Sequence, residues 1–315
     1  MRAHAVGQRI GSFAGTIASD FKKVNVEVFS DLIFSFWGIE LNSKEKQWFA
    51  CDGKELRGSI AKGELRGEAV VQAVSHKDRI VHGQEFYNGM KESERPCACV
   101  LLRRGLDGQK ITMDALHLIP ETVKQIEKQQ GIFLIGLKEN QKELLTEMKF
   151  NASVGNAVVQ EDEPEKSHGR IDKRKYSGFD VGNAYFDERW QGANFQTLVK
   201  IERTSLNLKS QTESSETAYY LSNQQLKKGT TDQELFNAVR GHWNVETNNN
   251  IRDVTFKEDH LKTKHQKISR NIATCRTYIL NLLYKLKLKN IKAKLEEFAD
   301  DFQILLQWLT TCRVL

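Results

Sequence analysis

The sequence is poor in the features that would tie it to a membrane or to the secretory route. Across its 315 residues, no run approaches the roughly 20 consecutive apolar residues of a membrane-spanning helix. The first residues, with Arg2, His4 and Arg9 among small side chains, lack the apolar core of a signal peptide. The expected location is the cytoplasm, with no membrane partner. Cysteine is scarce too: Cys51, Cys97, Cys99, Cys275 and Cys312 are odd in number and form no C-x-x-C pair. That excludes a disulfide framework and a zinc ribbon, and leaves reduced packing cysteines.

What is present fits a soluble globular protein, with 39% hydrophobic and 28% charged residues. The length allows one large domain or two smaller ones. The net charge of +6 is modest, but its distribution is uneven. Between Lys257 and Lys294, eleven Lys and Arg stand against only Glu258 and Asp259, a local balance of +9. Such a segment suits a phosphate backbone, or else a solvated helix face.

Taken in order, residues 1–46 read as a helical lead-in, with Val26, Val28, Phe29, Leu32, Ile33 and Trp37 at three- and four-residue steps. Three strands follow at 47–51, 69–74 and 79–85, with His76-Lys77-Asp78 turning between the last two, so an antiparallel meander is expected. The first strand is expected to break at Asp52-Gly53-Lys54. A short helix at 96–104, a strand at 110–113 ending in Asp114, a helix from Pro120 to Gln129, a strand at 131–137 and a helix at 141–150 describe a mixed sheet with helices packed on it. Residues 151–228 lose helical periodicity and read as a β-rich insertion. From Thr231 the chain reads as three helices, 232–249, 265–288 and 291–308, the first with Asp232 as N-cap.

On the first of these helices, Val239, His242, Trp243, Glu246 and Asn250 share one side, so a carboxylate sits on a face that otherwise looks interior. A buried carboxylate needs a cation, either Arg or Lys or a metal ion shared with other acids. Asp52 and Asp114 close or nearly close short apolar runs, and make a three-carboxylate metal site conceivable. Asp253, Glu258 and Asp259 compete with Glu246 for the third place.

Six segments in order, Cys51-Asp52-Gly53-Lys54-Glu55-Leu56-Arg57-Gly58-Ser59, Ile111-Thr112-Met113-Asp114-Ala115-Leu116, Leu137-Lys138-Glu139-Asn140-Gln141, Ser167-His168-Gly169-Arg170-Ile171-Asp172, Tyr219-Tyr220-Leu221-Ser222 and His242-Trp243-Asn244-Val245-Glu246, resemble the DDE transposases of bacterial insertion sequences, in the ISAs-type branch with the H-repeat-associated proteins. The resemblance implies an α/β fold: an RNase H-like mixed-sheet catalytic domain (47–150 and 229–315, ending in basic helices) around the β-rich insertion. It makes 1–46 a truncated end-recognition domain. It assigns Asp52, Asp114 and Glu246 to two magnesium or manganese ions, for which hard carboxylate oxygens are the fitting donors. Contacts to double-stranded DNA are expected from Lys138, Asn140, His168, Arg170 and His242 in the matching segments, from Lys54 and Arg57 beside Asp52, which could instead pair with Glu55 and Glu64, and from Arg240, Arg252 and Lys257 in place of the cations that the wider superfamily carries around the third acid. A homodimer holding two element ends in a bacterial, nucleoid-associated setting follows from the same likeness. The implied activity is metal-dependent strand cleavage and transfer; a non-catalytic DNA-binding remnant and a general RNase H-like nuclease are the competing readings.

Overall fold

The computed structural model describes residues 19–35, 46–167, 169–288 and 290–311. His168 and Trp37 lie outside the described residues. The strands are β1 (Trp48–Glu55), β2 (Ala69–Ser75), β3 (Val81–Tyr87), β4 (Lys110–Met113), β5 (Ile132–Leu137), β6 (Ala157–Glu161), β7 (Glu165–Ser167), β8 (Arg170–Asp180), β9 (Thr197–Asn207) and β10 (Glu213–Ser222). The helices are α1 (Val26–Ser35), α2 (Lys91–Gly105), α3 (Pro120–Lys128), α4 (Lys142–Val154), α5 (Thr231–Val254), α6 (Gln266–Lys285), α7 (Ile291–Asp300) and α8 (Phe302–Thr311).

The ten strands form one sheet in the order β3-β2-β1-β4-β5-β10-β9-β8-β6, with β7 beside β8. β1, β4 and β5 run parallel, while β2 and β3 run antiparallel to their neighbours. This is the RNase H-like α/β arrangement that the resemblance implies. The expected meander is present. The strands of 151–228 extend the same sheet, because Tyr219–Ser222 of β10 pair antiparallel with Leu134–Leu137 of β5.

Strand alternation sorts side chains onto two covered faces. Phe49, Cys51, Ile111, Met113, Phe133 and Ile135 pack on the face covered by α2, α3 and α4, where Leu101, Leu102, Val123, Ile126, Leu145 and Met148 meet them. On the opposite face Ala50, Val74 and Val81 meet Val245 of α5, and Leu134, Val199 and Ile201 meet Leu235, Phe236, Ala238 and Val239. α6 lies on that second face as well, its Asn281 exchanging two hydrogen bonds with the backbone of Val81. Asp52, one residue past Cys51, therefore turns toward α5.

Several elements depart from the sequence reading. β1 does not break at Asp52-Gly53-Lys54 but runs to Glu55. Gly53 is accommodated because the Glu94 carboxylate lies over it, where a Cβ would come within 2.6 Å of Glu94 Cδ. α2 begins at Lys91 and carries Pro96 inside it. Asp232 sits in the first turn of α5 rather than capping it, because the helix starts at Thr231. The 291–308 stretch is two helices meeting at Asp301. The inner stripe of α5 is Ala238, Val245, Asn248 and Arg252, so Trp243, Glu246 and Asn250 are turned outward from the face expected to be interior.

Candidate active site at the ends of β1 and β4

Asp52 and Asp114 are brought together by strand pairing. β1 and β4 run in parallel register through Cys51 and Met113, and the next residue on each is the aspartate. β4 ends there: Asp114 Oδ1 accepts from Leu116 N at 3.0 Å and opens a single 3-10 turn. Asp52 is half-buried and Asp114 is 47% exposed, so the pair faces a solvent-accessible edge. Burial pushes the Asp52 carboxyl up to about 7, helped by the nearby charges of Asp114 and Glu94. Carboxylates crowded in this way carry charge that a hard divalent cation would neutralise.

α5 runs alongside β1 in the same direction. Its Glu234 accepts from Trp48 Nε1 at 2.8 Å near the start of the strand, and its Asp253 is ion-paired with Lys54 near the end. Between these, His242 Nδ1 lies 3.1 Å from Thr112 Oγ1 on β4. One helical turn beyond His242 rises roughly 6 Å, and two strand residues beyond Thr112 rise about the same. Glu246 is therefore level with Asp114, exposed at the helix edge, and its charge is felt by Tyr220 of β10. Among the described residues, no three His, Cys, Asp or Glu side chains are gathered closely enough to hold a metal ion. Asp52 and Asp114, at adjacent strand positions, are donors of the kind a hard cation takes, while Glu246 stands exposed at the helix edge apart from them.

Two groups at this edge escaped the sequence reading. Glu94 of α2 accepts from Tyr87 OH at 2.8 Å and lies 3.2 Å from His117 Nε2, which in turn is 4.0 Å from Asp114 Oδ1. His117 could have been suspected as the residue three beyond Asp114 in a tight turn. Glu94 carries no local signal, since only the fold brings it over Gly53. On the helix side, His242 and His76 share the Thr112 hydroxyl, at 3.1 and 3.0 Å. Burial lowers them to about 4 and about 3, so both are neutral at physiological pH.

The residues expected to contact DNA fall into two groups. Lys138 and Asn140 stand exposed and line a cavity of about 590 Å³ with Asp114, Arg95, Lys149 and Tyr219. Asn140 also donates to Ala115 O at 2.7 Å, fixing the turn after Asp114. Arg57 and Lys257 are exposed. Arg170 is ion-paired with Asp172, and Arg240 with Asp162 and Glu165, the latter tying α5 to the β6–β7 region. Lys54, His242 and Arg252 are turned inward. Arg252 is 0% exposed, its guanidinium donating to Gln72 Oε1 and Glu258 Oε1, because the inner stripe of α5 passes through it. Its expected phosphate contact is replaced by a place in the core, and the same holds for Lys54, 7% exposed. Glu258 is committed to Arg252 and Asp253 to Lys54, while Asp259 Oδ1 accepts from Arg57 N at 3.1 Å.

Residues 44–282 match the family described as Transposase DDE domain. Among curated proteins, the chain is similar to YbfL of Escherichia coli, 30% identical over 272 residues that cover 82% of this chain and 70% of that protein. It is 29% identical over 271 residues to the H repeat-associated YhhI of Escherichia coli, with 82% and 70% covered. It is 27% identical over 263 residues to YncI of Escherichia coli O157:H7, covering 80% of this chain and 65% of that relative.

Proposed function

The chain belongs to the DDE transposase family, and from that premise we propose that it cleaves and joins DNA strands at the ends of a mobile element. Asp52, Asp114 and Glu246 would hold two magnesium or manganese ions. Once bound, these ions would supply activation of the attacking oxygen and charge stabilisation at phosphorus. Water attacks the phosphodiester, the bond from phosphorus to the 3′ oxygen breaks, and a 3′ hydroxyl is freed. That hydroxyl then attacks a target phosphodiester in a second displacement of the same kind.

The observation that carries this reading is the pairing of Asp52 with Asp114 at adjacent strand positions, where burial first and then the charges of Asp114 and Glu94 push Asp52 up to about 7. Lys138, Arg95 and Lys149 border the cavity beside Asp114, where a strand end carrying a phosphate would lie. Cations there position the backbone without reading sequence. Arg57 and Lys257, with the exposed lysines of the C-terminal segment, would extend the contact to duplex DNA. A homodimer would hold two ends together. The proposed place of action is the cytoplasm, at the nucleoid, and no described helix is long and apolar enough to cross a membrane.

The test is cleavage of DNA carrying the element's own ends, with magnesium or manganese, by the native chain and by Glu246→Gln. Cleavage by the native chain alone supports the full triad. Equal cleavage by both removes Glu246 from it. DNA binding with no cleavage by either favours a non-catalytic remnant, and equal cutting of unrelated DNA or RNA favours a general nuclease.

A further inference from the structure

The buried charges behind Asp52 have no part in the chemistry above. Lys54 lies two residues beyond Asp52 on the same face of β1, ion-paired with Asp253 and 4.0 Å from Glu258 Oε2. Glu258, 2% exposed in its side chain, is held from the other side by Arg252 at 2.9 Å and Arg276 at 3.8 Å. Arg252 also donates at 2.6 Å to Gln72, the residue directly across from Asp52 on β2. The network thus returns to the strand position where it began.

Its geometry relates it to the carboxylates. Asp253 is seven residues beyond Glu246, two turns less about 20°, so both project from one stripe of α5, roughly 10 Å apart. Asp52 and Lys54 share one strand face, roughly 7 Å apart. The Lys54–Asp253 pair therefore joins β1 to the helix stripe that also carries Glu246.

We propose that Lys54 and Asp253 are positioning residues whose ion pair fixes α5 against β1 and so sets how far Glu246 stands from Asp52. This rests on the assignment of Asp52, Asp114 and Glu246 as metal carboxylates. Carboxylates drawn round one metal site would repel one another and push the helix from the strand. The attraction between Lys54 and Asp253 opposes that push two turns along the same helix. Glu258, anchored by two arginines, keeps the Lys54 ammonium from swinging away.

The test is Mn²⁺ binding by the full chain, read from the electron paramagnetic resonance signal of the free ion, for the native protein, Lys54→Met, Asp253→Asn and Asp253→Glu. Asp253 is 40% exposed in its side chain, and Lys54 keeps Glu258 when Asp253 is neutralised, so Asp253→Asn is expected to fold. The proposal expects Lys54→Met and Asp253→Asn both to weaken Mn²⁺ binding by about tenfold, with Asp253→Glu near the native value. Charge alone predicts opposite signs: losing the lysine would tighten cation binding and losing the aspartate would weaken it. Opposite signs, or no change in Asp253→Asn, overturn the proposal. Should Lys54→Met not fold, Asp259→Asn removes an equal charge outside the clamp. Weakening in Asp253→Asn alone supports the proposal, and equal weakening in both overturns it. A native chain that binds no Mn²⁺ fails the carboxylate assignment itself, an outcome distinct from native binding that the variants leave unmoved.

Discussion

Glu94 Oε1 lies 3.2 Å from His117 Nε2, joining α2 to the turn that follows β4. His117 is fully buried, and its loss would leave a cavity and remove one of the partners of Glu94. His117→Ala is therefore expected to cost about 2–4 kcal/mol of stability, measured by urea unfolding. A loss below 0.5 kcal/mol would show that the pair does not brace the Asp114 turn.

Asp52 gives the metal-free protein a pH dependence whose sign can be worked out. Its carboxyl is near 4 in the unfolded chain and pushed up to about 7 when folded, by burial first and then by Asp114 and Glu94. Between these values the folded state holds the extra proton, so this group makes stability fall as pH rises through the window. At pH 8 the cost is complete, on the order of 4 kcal/mol. Asp52→Asn is expected to flatten that part of the profile and to raise the metal-free melting temperature at pH 8. It should also lose the stabilisation that Mg²⁺ gives the native chain. A profile from pH 4 to 8 unchanged by the substitution would refute this.

Much of this site could be read from the order of residues, and the part that could not was lost for identifiable reasons. Asp52 and Asp114 follow runs whose alternation and apolarity mark strands, and parallel pairing then puts them side by side. The rotation of α5 was less legible. Trp243 invited an inward assignment, yet it is 50% exposed, while Asn248 and Arg252 are wholly buried. Polar side chains can fill an inner stripe when the sheet and its turns offer partners opposite, as Arg79 O of the β2–β3 turn does for Asn248 and Gln72 of β2 for Arg252. Those partners lie some 170 to 180 residues away in sequence, where no local pattern points to them.

Gly241 gives a test of how closely α5 sits on the sheet. A Cβ there would fall 2.1 Å from His76 Nδ1, and that ring is stacked on Trp48. An exposed helical Gly→Ala change gains about 1 kcal/mol. Here the sign should reverse, with Gly241→Ala costing about 2–3 kcal/mol as the helix is pushed outward. Because Glu246 lies little more than one turn beyond, cleavage should fall along with thermal stability. A stabilised, fully active variant would mean that α5 tolerates displacement.

Lys138 and Arg240 separate a cation offered to DNA from one already neutralised. Lys138 is exposed beside Asp114, whereas Arg240 bonds Asp162 at 3.1 Å and Glu165 at 2.6 Å. A lysine that meets a phosphate releases about one counterion on binding, so Lys138→Gln is expected to reduce the slope of log affinity against log salt by about 1. Arg240→Gln should leave the slope nearly unchanged, because Asp162 and Glu165 already balance its charge, and should instead loosen the join between α5 and the β6–β7 region. Fluorescence anisotropy of a labelled duplex, titrated at several salt concentrations, measures both. Equal slope losses would mean that Arg240 leaves its acidic partners for the DNA backbone, and the ion pairs seen here would then belong to the DNA-free protein alone.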